Sequence, residues 1–108
     1  MQHLVGNYDY DRCSQALTKK LIKTSISCGF PLYITSSYRN EEDNKRVKGS
    51  ATSSHLTGLA ADIKCVESVK RLRLIKHLLN NGIERIGIYP TYLHVDIDPD
   101  KPACIWLK

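Results

Sequence analysis

The chain has 108 residues, 42% of them hydrophobic and 25% charged, with a net charge of +5. That length is enough for one domain with one modest core. The positive balance favours an anionic partner such as nucleic acid, a membrane surface or an anionic wall polymer, although a basic solvated surface is the plainer explanation.

No apolar run approaches the ~20 residues of a membrane span. The N-terminus turns polar within a few residues, so no secretory signal is expected. Four cysteines stand at Cys13, Cys28, Cys65 and Cys104. Their wide spacing argues against a cysteine-based zinc site, and free thiols are expected.

Residues 1–10 read as an irregular lead-in anchored by Tyr8 and Tyr10. Asp11 is a candidate helix N-cap. Ala16, Leu17, Leu21, Ile22 and Ile26 then recur at helical spacing, and Gly29 and Pro31 stop the helix. Residues 32–36 read as a strand that delivers Ser37, Tyr38, Arg39 and Asn40. Asn40 caps a short helix over 40–47, and a Gly/Ser/Thr-rich loop runs to Ser54. The long connection from Ser37 to Gly58 holds little apolar content, which marks it as functional or disordered. A strand follows over 59–64. In the helix over 66–81, Val69, Leu72, Ile75, Leu78 and Leu79 share the apolar face, with Gly82 at its C′ position. Residues 84–89 and 92–97 read as a hairpin around Pro90-Thr91, and 103–107 as a final strand. Hairpin-connected strands with segregated helices predict an α+β fold in one domain over 1–108.

Two of these elements carry candidate chemistry. His55 precedes the strand that bears Asp62, and His94 lies on the second strand of the hairpin. Two histidines and one carboxylate suit a catalytic zinc site, which keeps three protein ligands and leaves a fourth position to water. Alternation along a strand puts Tyr92, His94 and Asp96 on one face and Leu93, Val95 and Ile97 on the other. Ala60 shares a face with Asp62, and Gly58 permits a tight turn between His55 and the strand. Taken singly, a histidine is more often a hydrogen-bonded core or surface residue than a ligand, and an aspartate near a loop more often a turn former.

The spacing Ser53-x-His55-x-x-Gly58-x-Ala60-x-Asp62-Ile63 is preceded by Thr35-Ser36-Ser37-Tyr38-Arg39. It is followed by Gly87-Ile88-Tyr89-Pro90 and Leu93-His94-Val95-Asp96. Together these resemble the zinc D-Ala-D-Ala carboxypeptidase family of peptidoglycan peptidases, in its short single-domain form from bacteria and phages. The resemblance covers roughly residues 11–107. It implies a small antiparallel sheet flanked by helices, shared with the hedgehog signalling domain. It also implies one Zn²⁺ held by His55, Asp62 and His94. Arg39 would hold a substrate carboxylate or the scissile carbonyl, which its fork of donors suits. Ser53 would support the site by hydrogen bonding, and Tyr92 would donate to the oxyanion.

One departure concerns the general base. Many members carry a carboxylate about three positions before the last histidine ligand, where this chain has Thr91. Asp96 is the substitute, acting directly or by orienting His94; Glu84 is a more distant candidate.

The resemblance thus implies a zinc metallopeptidase cutting peptidoglycan stem peptides at a bond involving a D-amino acid, as a carboxypeptidase or endopeptidase. A monomer is expected, released to the wall by a holin or lysis partner. The alternative is a non-catalytic zinc module of the same fold that binds a peptide or protein. Nucleic-acid binding would rest only on charge and the basic face of the helix over 66–81, and no recognition motif backs it.

Overall fold

A computed structural model describes residues 2–108. In chain order the elements are β1 (Leu4–Gly6), α1 (Gln15–Cys28), β2 (Leu32–Ser36), α2 (Glu41–Arg46), a 3-10 turn (Ser54–Thr57), β3 (Ala60–Lys64), α3 (Ser68–Asn80), β4 (Arg85–Ile88), β5 (Tyr92–Asp96) and β6 (Cys104–Leu107). The strands form one six-stranded sheet in the order β1-β2-β3-β5-β4-β6. The expected α+β class holds. The four central strands are antiparallel, whereas β1 joins β2 and β6 joins β4 in parallel, so the sheet is mixed at both edges.

The lead-in is not irregular throughout, because Leu4–Gly6 forms the edge strand β1 and pairs with Leu32–Ile34. Asp11 does not cap α1. The Asp9 carboxylate accepts the amides of Asp11 and Arg12 at 3.1 and 2.9 Å, which closes a turn before the helix. Ser14 is the cap instead, its hydroxyl accepting the Leu17 amide at 3.1 Å. The buried stripe of α1 is Leu17, Leu21, Thr24, Ser25 and Cys28, while Ile26 is exposed. Thr24 and Ser25 are tolerated there because their hydroxyls donate to the Lys20 and Phe30 carbonyls, both at 2.8 Å.

The apolar face expected for α3 is also displaced. Leu74 and Leu78 are buried and Ile75 packs beside them, but Val69 and Leu72 are 74% and 71% exposed. Arg71 takes the intervening arc instead, donating to the Cys65 and Tyr89 carbonyls and tying the helix start to the ends of β3 and β4. α2 forms as expected, with the Asn40 side chain accepting the Asp43 amide at 2.8 Å.

Ile34, Ile63, Ile86, Leu93 and Val95 point to the face of the sheet that α1 and α3 cover, and they form the core with Leu17, Leu21, Leu74 and Leu78. Asp62, His94 and Asp96 belong by alternation to the opposite face. The core therefore anchors the same strands that present the polar residues. None of the four cysteines is bridged; Cys13, Cys28 and Cys65 are buried and Cys104 is exposed. Among the described residues no helix is long and apolar enough to cross a membrane.

The displaced face of α3 is open to a direct check. Leu78→Ala should cost about 2–5 kcal/mol in denaturant unfolding, and Leu72→Ala no more than about 0.5 kcal/mol. Equal losses would contradict the packing described.

Candidate metal centre

Register brings the first two candidates together. β3 and β5 are antiparallel, and Asp62 and His94 are direct partners across them. They lie on the same face, so their side chains meet, with His94 Nδ1 at 3.1 Å from Asp62 Oδ1. His55 arrives from the 3-10 turn just before β3, with Nε2 at 3.3 Å from that same Oδ1.

Several contacts fix this turn. Ser53 caps it, its hydroxyl accepting the His55 amide at 3.3 Å. Gly58 ends it in the left-handed region at φ +72°, and a Cβ there would lie 2.2 Å from the Arg12 carbonyl oxygen. Only glycine meets both the dihedral and the close approach. The turn is also clamped from the far side, where Ser54 Oγ donates to Asp98 Oδ2 at 2.7 Å. Lys101 Nζ donates to Ser54 Oγ at 2.9 Å and to the Thr52 carbonyl at 2.7 Å.

The outer nitrogen of each imidazole is committed. His55 Nδ1 faces the Ser37 carbonyl, which can only accept, so Nδ1 carries the proton. His94 Nε2 lies 2.8 Å from Asp96 Oδ2 and donates to it. In the neutral tautomers that result, His55 Nε2 and His94 Nδ1 are bare and face the Asp62 carboxylate. Three lone pairs thus converge, and the three ligand atoms lie within 4.8 Å of one another. His55 is buried and Asp62 and His94 are partly buried, and acceptors left facing one another there are unfavourable, so the arrangement asks for a cation or a proton at its centre. Two imidazoles and a carboxylate, each oriented by an outer hydrogen bond, could hold a metal ion, and they match the donors zinc takes.

Electrostatics follow the same geometry. In the metal-free protein a proton on an inner imidazole nitrogen takes the place of a cation: burial alone would raise the Asp62 carboxyl, but hydrogen bonds and charge from His55 and His94 so protonated carry it down to about 2. Burial works against a charged His94, yet its bonds to Asp62 and Asp96 outweigh it and raise the imidazole. Burial also opposes charge on Asp96, and the bonds from His94 and the Asp98 amide, with the nearby Arg85 charge, lower it on balance.

The triad sits in a cavity of about 310 Å³ whose lining includes Arg39, Ser53, Arg85, Tyr89, Tyr92, Lys101 and Trp106. Arg39 comes from the exit of β2, and its amide donates to the His55 carbonyl at 3.0 Å, which joins the two motifs. Its Nη2 donates to Ser53 Oγ at 3.3 Å. Its Nε is buried without a partner. Tyr92 and Tyr89 stack with centroids 4.5 Å apart. Burial first, and then the Asp62 charge, raise the Tyr92 phenol, which keeps its proton.

Asp62 and Asp96 are the only carboxylates in this lining. Asp96 is 1% exposed and accepts from His94 Nε2, from Arg85 Nε at 2.8 Å and from the Asp98 amide at 3.1 Å. Glu84 is exposed at the foot of β4, outside this cavity. The sequence reading passed over the Ser37 carbonyl, Ser54, Arg85, Asp98, Lys101 and Trp106. Alternation along 85–89 would have placed Arg85, Gly87 and Tyr89 on the site face.

Two histidines and an aspartate in a cleft lined also by Arg39 are the equipment of a metal-dependent hydrolase. The chain matches the family model described as Peptidase M15 over residues 4–98, and it belongs to that family of zinc D-Ala-D-Ala carboxypeptidases. No curated protein matches the chain.

The pKa shifts give the metal-free protein a defined pH optimum of stability. Asp62 and Asp96 have depressed carboxyls, so their contribution is present above about pH 4 and is lost as pH falls through their folded values. His94 has a raised imidazole, so its contribution is complete below about pH 6.5 and fades as pH rises through its folded value. Thermal melts of chelator-treated protein should peak between these limits. A melting temperature that keeps rising above pH 7 would contradict the assignment.

Proposed function

We propose that this chain is a zinc-dependent peptidase that hydrolyses stem peptides of peptidoglycan at a bond involving a D-amino acid. His55 Nε2, Asp62 and His94 Nδ1 would hold one Zn²⁺. The observation that carries the reading is the convergence of one ligand atom from each of His55, Asp62 and His94, within 4.8 Å of one another, in a cavity that Arg39 also lines. When bound, zinc supplies Lewis acidity, which activates water and polarises a peptide carbonyl.

The chain's own residues take the remaining roles. Arg39 brings a permanent charge to the cavity lining, so it binds a substrate carboxylate or the scissile carbonyl oxygen. Ser53 holds the guanidinium through Nη2 and, through the His55 amide, the turn beside it. Tyr92 keeps its phenolic proton and serves as a neutral donor to the developing oxyanion. Asp96 already accepts from three donors, which suits a part in orienting His94 better than one in carrying protons. Arg39, Arg85 and Lys101 outnumber the two carboxylates in the cavity lining, which favours an anionic peptide end. The expected place of action is the cell wall, reached through a lysis partner.

A second reading has one specific support: with Asp62 taken as a metal ligand, the other carboxylate in the cavity lining, Asp96, is already engaged by three donors. A zinc-holding module that binds a peptide without cutting it would look the same. Mass spectrometry of purified sacculi and of peptides ending in D-Ala-D-Ala separates the two. Zinc-loaded protein should release D-alanine or cut cross-links, and a chelator or His55→Ala should abolish this. Tight zinc binding with no cleavage of any such substrate would favour the binding module.

Arg39 is tested separately. Arg39→Met should lower kcat/KM about 100-fold while zinc stays bound, since one transition-state donor is lost. Undiminished kcat/KM in that variant would remove Arg39 from the reaction.

A further inference from the structure

We propose that Arg85 and Trp106 are positioning residues for the metal site, holding Asp96 and the His94 ring so that Nδ1 stays aimed at the metal. This makes β6 a working part of the site, and it rests on the reading that His94 binds the metal. β6 lies beyond residues 4–98, the stretch that matches the family model.

Two neighbouring rows of residues run across the sheet at the site. In the first, Asp62 pairs with His94, His94 with Gly87, and Gly87 with Trp106, across β3, β5, β4 and β6. Gly87 is the gap in this row. A Cβ there would lie 2.5 Å from the Trp106 ring, so the indole occupies the space a side chain would need. Lying across that gap, the indole reaches His94, with ring centroids 5.6 Å apart and planes inclined at 46°. In the second row Ala60 pairs with Asp96, and Asp96 with Arg85.

Arg85 links the rows. Its Nε donates to Asp96 Oδ1 at 2.8 Å, while Asp96 Oδ2 receives His94 Nε2. Its guanidinium lies over the Trp106 ring, 5.0 Å from the centroid. Its Nη1 donates to the Pro102 carbonyl on the approach to β6.

The His94 ring is therefore held on two sides. Asp96 grips Nε2 and is itself fixed by Arg85, and Trp106 limits rotation of the ring. An imidazole free to turn would offer Nδ1 to the metal only part of the time. Groups that orient a metal ligand are typically worth about 10–100-fold in metal affinity. The guanidinium matters as well as the charge, because it bonds Asp96 through Nε while lying over the indole.

Trp106 is the chain's single tryptophan, so the site carries its own probe. The full-length protein, stripped of metal, would be titrated with Co²⁺. Indole fluorescence reports uptake in variants that keep Trp106, and the visible cobalt bands report ligand geometry in all. Wild type should quench at one Co²⁺ per chain. Arg85→Met and Trp106→Ala should bind about 10-fold more weakly with altered bands, as expected for an orienting group. Arg85→Lys should recover part of the loss, and Trp106→Phe most of it. Melts of the metal-free variants identify any that fail to fold, and Arg85→Lys and Trp106→Phe then carry the comparison. Wild-type affinity and unchanged bands in folded Arg85→Met and Trp106→Ala would overturn the positioning role and leave the metal reading intact. A wild-type chain that takes up no Co²⁺ would overturn both.

Discussion

Three acceptor atoms aimed at one point are the constraint on which the site depends. Carboxylate and imidazole lone pairs repel at the separations seen around Asp62 Oδ1, 3.1 and 3.3 Å, unless a proton or a cation lies between them. The Ser37 carbonyl and the Asp96 carboxylate each hold the outer proton of one imidazole. They thereby decide which nitrogen of His55 and of His94 is bare. A fold that spends buried hydrogen bonds on directing lone pairs inward has prepared a place for positive charge.

The rest of the chain serves that convergence. The register of β3 on β5 makes Asp62 and His94 cross-strand partners, and it is held by Ile63, Leu93 and Val95 packing on the other face. A slip of one residue would turn all of these side chains to the wrong face. His55 stands outside the sheet, so a turn must deliver it. Gly58 against Arg12, Ser53 on the His55 amide and Ser54 on Asp98 fix that turn from three directions. Arg39 closes the cavity from the exit of β2, where its amide meets the His55 carbonyl.

Most of the central sheet was legible in the sequence, because its strands are short, β-rich and bounded by turn residues. His55, Asp62 and His94 stood out as a ligand set, and the structure brings all three together. What could not be read depends on distant partners. β1 has three residues, too few for alternation to register, and its pairing with Leu32–Ile34 is decided about 28 residues away along the chain. Asp11 and Ser14 are both good caps on paper; Asp9 settled the matter by taking the amides before the helix. Val69 and Leu72 fit a helical stripe, but Arg71 reached two carbonyls and turned that arc outward. Arg85 and Trp106 look like ordinary strand residues until β6 aligns with β4 and the empty place at Gly87 lets the indole reach His94. A site built across four strands is visible only when the register of each is known.

The claim that the converging acceptors hold zinc is tested most directly by X-ray absorption at the zinc edge, on protein loaded with one equivalent of metal. The account predicts a four-coordinate shell of nitrogen and oxygen donors at about 2.0–2.1 Å, with the outer-shell scattering of two imidazoles. That scattering should fall to one imidazole in His94→Ala. A sulfur shell near 2.3 Å, or a spectrum with no imidazole scattering, would contradict it.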